Sequence, residues 1–232
     1  MKKNKKRYYI FSLDLKLLNI FSFLILFLMI GLTILIDKEF LISSINYTFM
    51  LDRLLIMFIL VIGYFMMHEV LHSLGYYIYG AKYDKVVYGI ELEKGIFYCL
   101  CKDNVRRKNI MNSLMFPLFY IGILTYIISF MIDSSYLLIL SIFNISGCAG
   151  DIFTFLFMLR LDRDIEFSEF DDTTSFSIYT NKDLSNYKSL GLNYVGVVDE
   201  IKREEYTKIR VSKWSYVILL IIFLICIVSI FR

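Results

Sequence analysis

A chain of 232 residues that is 58% apolar and 17% aromatic is too apolar for an ordinary soluble domain, and this composition indicates a membrane protein. The formal net charge of +3 is small and gives no indication of a nucleic-acid partner. The four cysteines are not spaced as in a disulfide framework, which excludes a disulfide-stabilised secreted domain.

Five apolar segments follow one another along the chain, each about twenty residues long and therefore able to cross a hydrocarbon core of about 30 Å. The predicted transmembrane spans are residues 17–36, 54–79, 112–132, 136–159 and 214–231. The first span follows a lysine-rich stretch, but it is too long for a signal peptide and no small-residue cleavage site follows it, so we predict a retained anchor. The predicted fold class is an all-α polytopic membrane protein.

The distribution of lysine and arginine predicts how these spans are oriented. All but three of the 25 basic residues lie in residues 1–16, 80–111 and 160–213, which fall on one side of the membrane if five spans alternate. The positive-inside rule places that side in the cytoplasm. We therefore expect an integral cell-membrane protein with its N-terminus and both long loops in the cytoplasm.

The second span carries both histidines of the chain, in the run His68-Glu69-Val70-Leu71-His72. Positions four apart lie on one face of a helix, so the two imidazoles can bind one metal ion. In zinc peptidases with this His-Glu-x-x-His spacing, the glutamate is the general base. The pattern predicts one zinc ion per chain at His68 and His72, with Glu69 as the catalytic base. A polar network between helices and an ion pathway are the alternatives.

The loop after the second span contains two short apolar runs, 86–92 and 96–100, separated by Glu93-Lys94-Gly95. Two such runs around a glycine-bearing turn predict a β-hairpin directly after the histidine helix. An ordinary cytoplasmic loop is the alternative. The edge of a hairpin there could bind an extended substrate by β-augmentation, because cleavage needs an extended peptide.

The fourth span carries a carboxylate, Asp151, well inside an apolar segment, and a charged group at such a depth marks function by default. His68 and Asp151 lie about 14 and 15 residues from the outer ends of spans two and four, at a depth of roughly 21–23 Å. At this matched depth Asp151 can be the third zinc ligand, leaving a fourth position open for water. A helix-packing or helix-capping carboxylate is the alternative.

Two neighbours of Asp151 have less specific interpretations. Asn144 lies seven residues before it on the same helix face, and could orient substrate or an oxyanion or be only a packing amide. Cys148 could be a thiolate ligand, although cysteine inside a span usually behaves as a small hydrophobe.

Residues 161–213 are polar, with an acidic patch followed by a basic, helix-like stretch at 202–213. The acidic patch consists of Glu166, Glu169, Asp171 and Asp172. No motif there carries chemistry, so we expect a solvated face that could also gate the site or recruit a partner. The predicted division is a membrane-embedded metalloprotease core at 1–160, this cytoplasmic segment, and a C-terminal anchor at 214–232.

These features together resemble the bacterial membrane "putative zincin peptidase" family, a relative of the site-2 protease class of intramembrane zinc metalloproteases. The elements that carry the resemblance are the motif at 68–72 with Gly75 after it, the proline-bearing run Leu114-Met115-Phe116-Pro117, and the segment 144–151. The resemblance implies that His68, His72 and Asp151 bind the zinc ion and that Glu69 is the catalytic base.

The chain departs from the site-2 protease pattern around the predicted third ligand. Those proteases carry Asn-x-x-Pro before an Asp-Gly pair, whereas here Asn144 has no such proline and Gly150 precedes Asp151 instead of following it. These departures bear on the roles assigned to Asn144 and Asp151 but not on those assigned to the histidines. A metzincin is excluded, because its third histidine would fall at Ile78.

The sequence and the resemblance together predict a zinc-dependent intramembrane endopeptidase that acts in the lipid bilayer on membrane-embedded peptides or single-span proteins. A metal-binding membrane protein without catalysis, such as a sensor, a transporter or a pseudoenzyme, is the alternative. A structural subunit whose histidines bind no metal is a third possibility. No nucleic-acid partner is expected.

Overall fold

The computed structural model describes residues 6–91, 96–169, 175–199, 209–210 and 221. Within these residues, helices alternate with short strands that form two antiparallel sheets. The predicted fifth span at 214–231 lies outside the described residues except for Ile221, and the acidic residues Asp171 and Asp172 also lie outside them.

Six α-helices form the larger part of the described chain. They are α1 (Leu15–Thr48), α2 (Leu54–Ile78), α3 (Arg107–Pro117), α4 (Leu124–Met131), α5 (Ser135–Gly147) and α6 (Ala149–Leu159). A π-helical turn at Leu118–Ile123 joins α3 to α4 without a loop, and a single 3-10 turn at Tyr83–Lys85 follows α2. The third predicted span is therefore one continuous helical segment with an irregular centre.

Three helical segments of the described chain are long and apolar enough to cross a membrane, namely α1, α2 and the segment Arg107–Met131 that α3 and α4 form. The pair α5 and α6, bent by 43°, adds a fourth if it is one broken span. These helices indicate a membrane protein, but the predicted number of five spans is not confirmed. Many of their apolar side chains face outward, as lipid contact requires; Leu35 in α1 is 85% exposed.

Helix α1 extends past the predicted end of the first span at residue 36 and ends at Thr48. The Asp14 carboxylate caps its start by accepting two backbone N–H groups of the first turn. The backbone leaves helical geometry at Asp37, whose carboxylate accepts the N–H of Phe40. Asp37 therefore caps a second helical stretch that runs to Thr48, and the first stretch ends close to the predicted end of the span at residue 36.

A five-stranded sheet has the strand order β4-β5-β6-β1-β7. Its strands are β1 (Arg7–Leu13), β4 (Val105–Arg106), β5 (Glu166–Glu169), β6 (Ser175–Thr180) and β7 (Leu192–Val198). The N-terminal strand β1 lies between β6 and β7, so that Tyr9 pairs with Ile178 on one side and with Val197 on the other. This sheet therefore joins the start of the chain to its later polar segment.

The predicted hairpin after α2 is confirmed. Strand β2 (Val86–Glu91) pairs antiparallel with β3 (Ile96–Cys101), and β8 (Ile209–Arg210) pairs with the other side of β2. The order β3-β2-β8 leaves β3 at the edge of this three-stranded sheet.

The predicted all-α class is not confirmed, because the described residues contain these two sheets in addition to the helices. Strand β1 pairs with β6 and β7 from the other end of the chain, so the turn signals that reveal a hairpin cannot reveal these pairings. The segment that we interpreted as a solvated face contains β5 and β6, in which Phe167 and Ile178 are buried.

One hydrophobic core joins the five-stranded sheet to the ends of α2, α3 and α6. The Phe157 ring in α6 lies 4.9 Å from the Phe11 ring of β1 and 5.8 Å from the Phe176 ring of β6, measured between centroids. Tyr76 of α2 and Ile110 of α3 complete this core. The sheet therefore covers one end of the helices, and the residues of the predicted site lie where helices and sheet meet.

Candidate metal centre

Helices α2 and α6 bring the predicted ligands together. His68 and His72, one turn apart on α2, place their Nε2 atoms 3.1 Å from each other. Asp151 in the first turn of α6 places Oδ2 at 3.2 Å from Nε2 of His68 and Oδ1 at 3.4 Å from Nε2 of His72. The matched depth that the sequence predicts for His68 and Asp151 thus corresponds to direct proximity.

The separations within this cluster are close to those of a tetrahedral zinc site. Ligand atoms at about 2.0–2.1 Å from one tetrahedral ion lie about 3.3–3.4 Å from each other. The two Nε2 atoms lie 3.1 Å apart, and they lie 3.2 and 3.4 Å from different oxygens of the Asp151 carboxylate. The cluster of His68, His72 and Asp151 is therefore compact enough to hold one zinc ion.

The hydrogen bonds of the two imidazoles favour the same interpretation. Nδ1 of His68 lies 3.0 Å from the Asn144 side-chain oxygen, and Nδ1 of His72 lies 3.1 Å from the backbone carbonyl of Ser113. Because both partners can only accept, each Nδ1 donates its proton, and each Nε2 is the ring nitrogen that faces Asp151. Two Nε2 atoms thus converge on one carboxylate, which is an arrangement that a cation stabilises.

Cys148 lies close enough to be a further donor. Its thiol, the His68 ring nitrogen and the Asp151 carboxylate lie within 4.8 Å of one another. The side chain is fully buried, and its Sγ lies 3.8 Å from the Asn144 amide nitrogen. The thiolate ligand that the sequence left open is therefore geometrically available.

Glu69, the predicted base, faces the same space from the turn of α2 that holds the histidines. Its carboxylate accepts a hydrogen bond from the backbone of Cys99 in the edge strand β3. A cavity of about 220 Å³ lies against Glu69, His68, His72 and Asp151. The motif residues therefore border a space that could receive a peptide, with the edge strand as one of its walls.

The close approach of α2 to α3 depends on Gly75. A Cβ added to Gly75 would lie 2.6 Å from Oγ and 2.8 Å from Cα of Ser113. The absence of a side chain lets the Ser113 hydroxyl donate to the His72 carbonyl at 2.8 Å while the Ser113 carbonyl accepts from His72 Nδ1. The glycine three residues after the motif thus keeps these two contacts in place.

Asn144 joins α5 to both the histidine helix and the third span. Its side-chain oxygen faces His68, and its amide nitrogen donates to the Pro117 carbonyl at 3.2 Å. The side chain is 2% exposed, and both ends of its amide are engaged within the protein. These contacts are those of an amide that orients a histidine, and they give no support to the predicted contact with substrate or an oxyanion.

Glu169 of β5 is a site residue that the sequence did not reveal. It lines the cavity, where its carboxylate accepts the Tyr76 hydroxyl at 3.0 Å and the backbone N–H of Cys101 at 2.5 Å. Burial raises the pKa of Glu169 from its ordinary value near 4.5 to about 7. Nothing in the sequence distinguishes Glu169 from the other charged residues of this polar segment. Its place beside the cavity depends on the sheet, in which β5 pairs with β6 and β6 pairs with β1.

The comparison with protein families bears on this cluster. Residues 61–164 match the family described as "Putative zincin peptidase". This segment is similar to that family. The zincin peptidase family indicates a zinc metallopeptidase, and the matched segment contains His68, Glu69, His72 and Asp151 but ends before Glu169. A search of curated proteins and a search of solved structures each found no match.

Proposed function

We propose that this protein is a member of the zincin peptidase family and a zinc-dependent intramembrane endopeptidase. The observation that carries the proposal is the convergence of two imidazole nitrogens and the Asp151 carboxylate within 3.4 Å, beside Glu69 and a cavity. The histidines and Glu69 lie in α2, a candidate span. Peptides embedded in the lipid bilayer, or single-span proteins, are therefore the substrate class that we propose.

His68, His72 and Asp151 would hold the zinc ion. A zinc ion there would lower the pKa of bound water towards about 7 and polarise the scissile carbonyl. Asn144 and Ser113 would keep the two imidazoles in the tautomer that binds metal, since each accepts the Nδ1 proton.

Glu69 would act as the general base and then as the general acid. Its carboxylate would accept a proton from the attacking water and deliver that proton to the leaving amine nitrogen. The hydrogen bond from the Cys99 backbone holds the Glu69 carboxylate at the cavity wall. The same hydrogen bond limits the rotamers that Glu69 can adopt, which favours a defined position for the base.

Strand β3 would bind the substrate in an extended conformation. It is the edge strand of its sheet as described, and Phe97 and Cys99 line the cavity. An extended peptide can add to such an edge through backbone hydrogen bonds. Because Glu69 and Glu169 already accept the N–H groups of Cys99 and Cys101, a bound peptide would have to exchange with one of these carboxylates or pair beside them.

The experiment that tests the proposal compares Glu69→Gln with the double substitution His68→Ala/His72→Ala in detergent-purified protein. Zinc content by elemental analysis should be about one ion per chain in the wild type and in Glu69→Gln, and should be lost in the double variant. Cleavage of a membrane-inserted peptide library should fall by about 10²–10⁴-fold in Glu69→Gln, because general-base catalysis contributes an effect of that size. Full peptidase activity in Glu69→Gln would overturn the mechanism.

A non-catalytic metal site is the second candidate, and the position of Cys148 favours it. A thiolate ligand would fill the fourth position, and structural zinc sites are closed in this way. Cobalt substitution distinguishes the two candidates, because a thiolate ligand gives an intense charge-transfer band that Cys148→Ala would remove. Absence of that band in the wild type would favour the open, catalytic site.

A further inference from the structure

The chain's single proline lies in the third candidate span, close to both histidines. Pro117 is the last residue of α3, and the π-helical turn Leu118–Ile123 follows it directly. In an unbroken α-helix the N–H of residue 117 would donate to the carbonyl of Ser113, four residues earlier. Proline has no N–H, so the Ser113 carbonyl is left without its helical donor.

That freed carbonyl is the one that orients His72. The Ser113 oxygen accepts the Nδ1 proton of His72 at 3.1 Å, in a region where both residues are buried. Gly75 permits the approach, because a side chain there would collide with Ser113. The missing donor on α3 is thus replaced by a donor from the histidine helix.

The same break in the helix also reaches His68. The Pro117 carbonyl accepts the Asn144 amide N–H at 3.2 Å, and the oxygen of that amide accepts the Nδ1 proton of His68 at 3.0 Å. Hydrogen bonding beyond the proline is irregular, since Leu124 donates to Phe119, five residues earlier, as in a π-helix. Two carbonyls around one proline are therefore connected to both imidazoles.

We infer that Pro117 is a positioning residue that keeps the Nδ1–H hydrogen bonds of both histidines in place, directly through Ser113 and indirectly through Asn144. The inference rests on the proposed zinc site but not on the proposed peptidase reaction. An N–H at residue 117 would compete with His72 for the Ser113 carbonyl, and the restored helical bond would draw the Pro117 carbonyl away from Asn144. Each imidazole would then be freer to rotate its Nε2 away from Asp151.

The test compares three full-length proteins that differ only at residue 117: the wild type, Pro117→Ala, and a protein in which lactic acid replaces the proline. Alanine restores the N–H, whereas the ester formed by lactic acid lacks it, as proline does. The Nδ1–H hydrogen bonds are measured in the metal-free protein by ¹⁵N NMR of labelled histidine, and zinc affinity is measured by competition with a chromophoric chelator. Ser129→Ala, a buried change in α4 of the same span, is the control.

We expect Pro117→Ala to weaken the Nδ1–H hydrogen bonds of His72 and His68 and to weaken zinc binding by about 10–100-fold, the range typical of lost outer-shell partners. The lactic acid protein and Ser129→Ala should retain the wild-type hydrogen bonds and affinity. Unchanged Nδ1–H hydrogen bonds in Pro117→Ala would overturn the inference, as would equal changes in the alanine and lactic acid proteins. Wild-type protein that binds no zinc would refute the proposed function, while the hydrogen bonds would still decide this inference.

Discussion

The two broken helical segments beside the site contribute different kinds of chemical group. The segment Arg107–Met131 breaks at Pro117 and offers backbone carbonyls, whereas the pair α5 and α6 bends by 43° and offers the side chains Asn144, Cys148 and Asp151. A carbonyl can orient a histidine but a carboxylate can bind the metal itself. One break therefore supplies candidate metal ligands, and the other supplies the hydrogen bonds that orient them. Substitutions at the two breaks should therefore reduce zinc affinity by different amounts.

Loss of the Asp151 ligand should have the largest effect. Asp151→Ala removes one of three candidate zinc donors, so we expect zinc affinity to fall by more than about 100-fold, beyond the range for outer-shell changes. Chelator competition measures this change. Asp37→Asn, which alters a carboxylate at the break in α1, is the control and should leave affinity unchanged. Wild-type affinity in Asp151→Ala would mean that the third ligand lies elsewhere.

Substitution of Asn144 should reduce zinc affinity by a smaller amount. Two different substitutions distinguish the contributions of its two hydrogen bonds. Asn144→Ala removes the acceptor for His68 and the donor to Pro117, so we expect a loss of zinc affinity of about 10–100-fold. Asn144→Asp keeps the acceptor for His68 and loses only the donor, so its loss should be smaller. If the two variants lose zinc affinity equally, the contact between Asn144 and His68 does not contribute to zinc binding.

Addition of a methyl group at Gly75 should reduce the stability of the folded protein. Gly75→Ala would place a Cβ within 2.6–2.8 Å of Ser113, which forces α2 and α3 apart. We expect the free energy of unfolding to fall by about 1–3 kcal/mol, as in other overpacked cores. Thermal unfolding in detergent measures it, with Gly31→Ala as the control because a Cβ at Gly31 meets nothing within 4 Å. Equal stability of the two variants would show that the helices can separate freely.

Glu169 should give the smallest effect, and one that depends on pH. Its pKa is about 7 in the folded protein and near 4.5 when exposed, so the folded state binds the proton more tightly. The stabilisation from the protonated form is therefore complete below about pH 4.5 and is lost as the pH rises through about 7. Between pH 5 and 8 the wild-type Tm should fall by a few degrees relative to Glu169→Gln, since 1 kcal/mol corresponds to roughly 2–4 °C here.

The control for this pH dependence is Glu166→Gln, on the same strand. Glu166 is a partly exposed residue that pairs with Lys6 at 3.4 Å, and it does not line the cavity. Its Tm should follow the wild type across the same pH range. Parallel curves for the wild type and Glu169→Gln would contradict the raised pKa.

The ligand cluster could be anticipated from sequence because its residues conflict with their surroundings. Histidines and a carboxylate inside apolar runs are costly, and helical periodicity then fixes their face and depth. The contact of Asp151 with His68 and His72 follows from that reasoning. The hairpin β2–β3 was also predictable, since a local turn joins its strands.

The carbonyl partners and the larger sheet could not be anticipated in this way. Every residue has a carbonyl, so nothing at Ser113 distinguishes it until the packing of α2 on α3 is known. The position of Glu169 depends on β5, which pairs with β6 and through it with β1 at the other end of the chain. The long-range pairing with β1 leaves no local pattern, and a charged residue such as Glu169 is then indistinguishable from one on a solvated face.

The position of β1 has a consequence for the order in which the protein is made. This strand precedes α1, yet its partners β6 and β7 lie at 175–180 and 192–198. A ribosome therefore completes every helix described here before it makes either partner, so β1 waits unpaired through most of synthesis. A nascent chain would therefore contain both histidines and Asp151 before the sheet that carries Glu169 can form and cover the cavity.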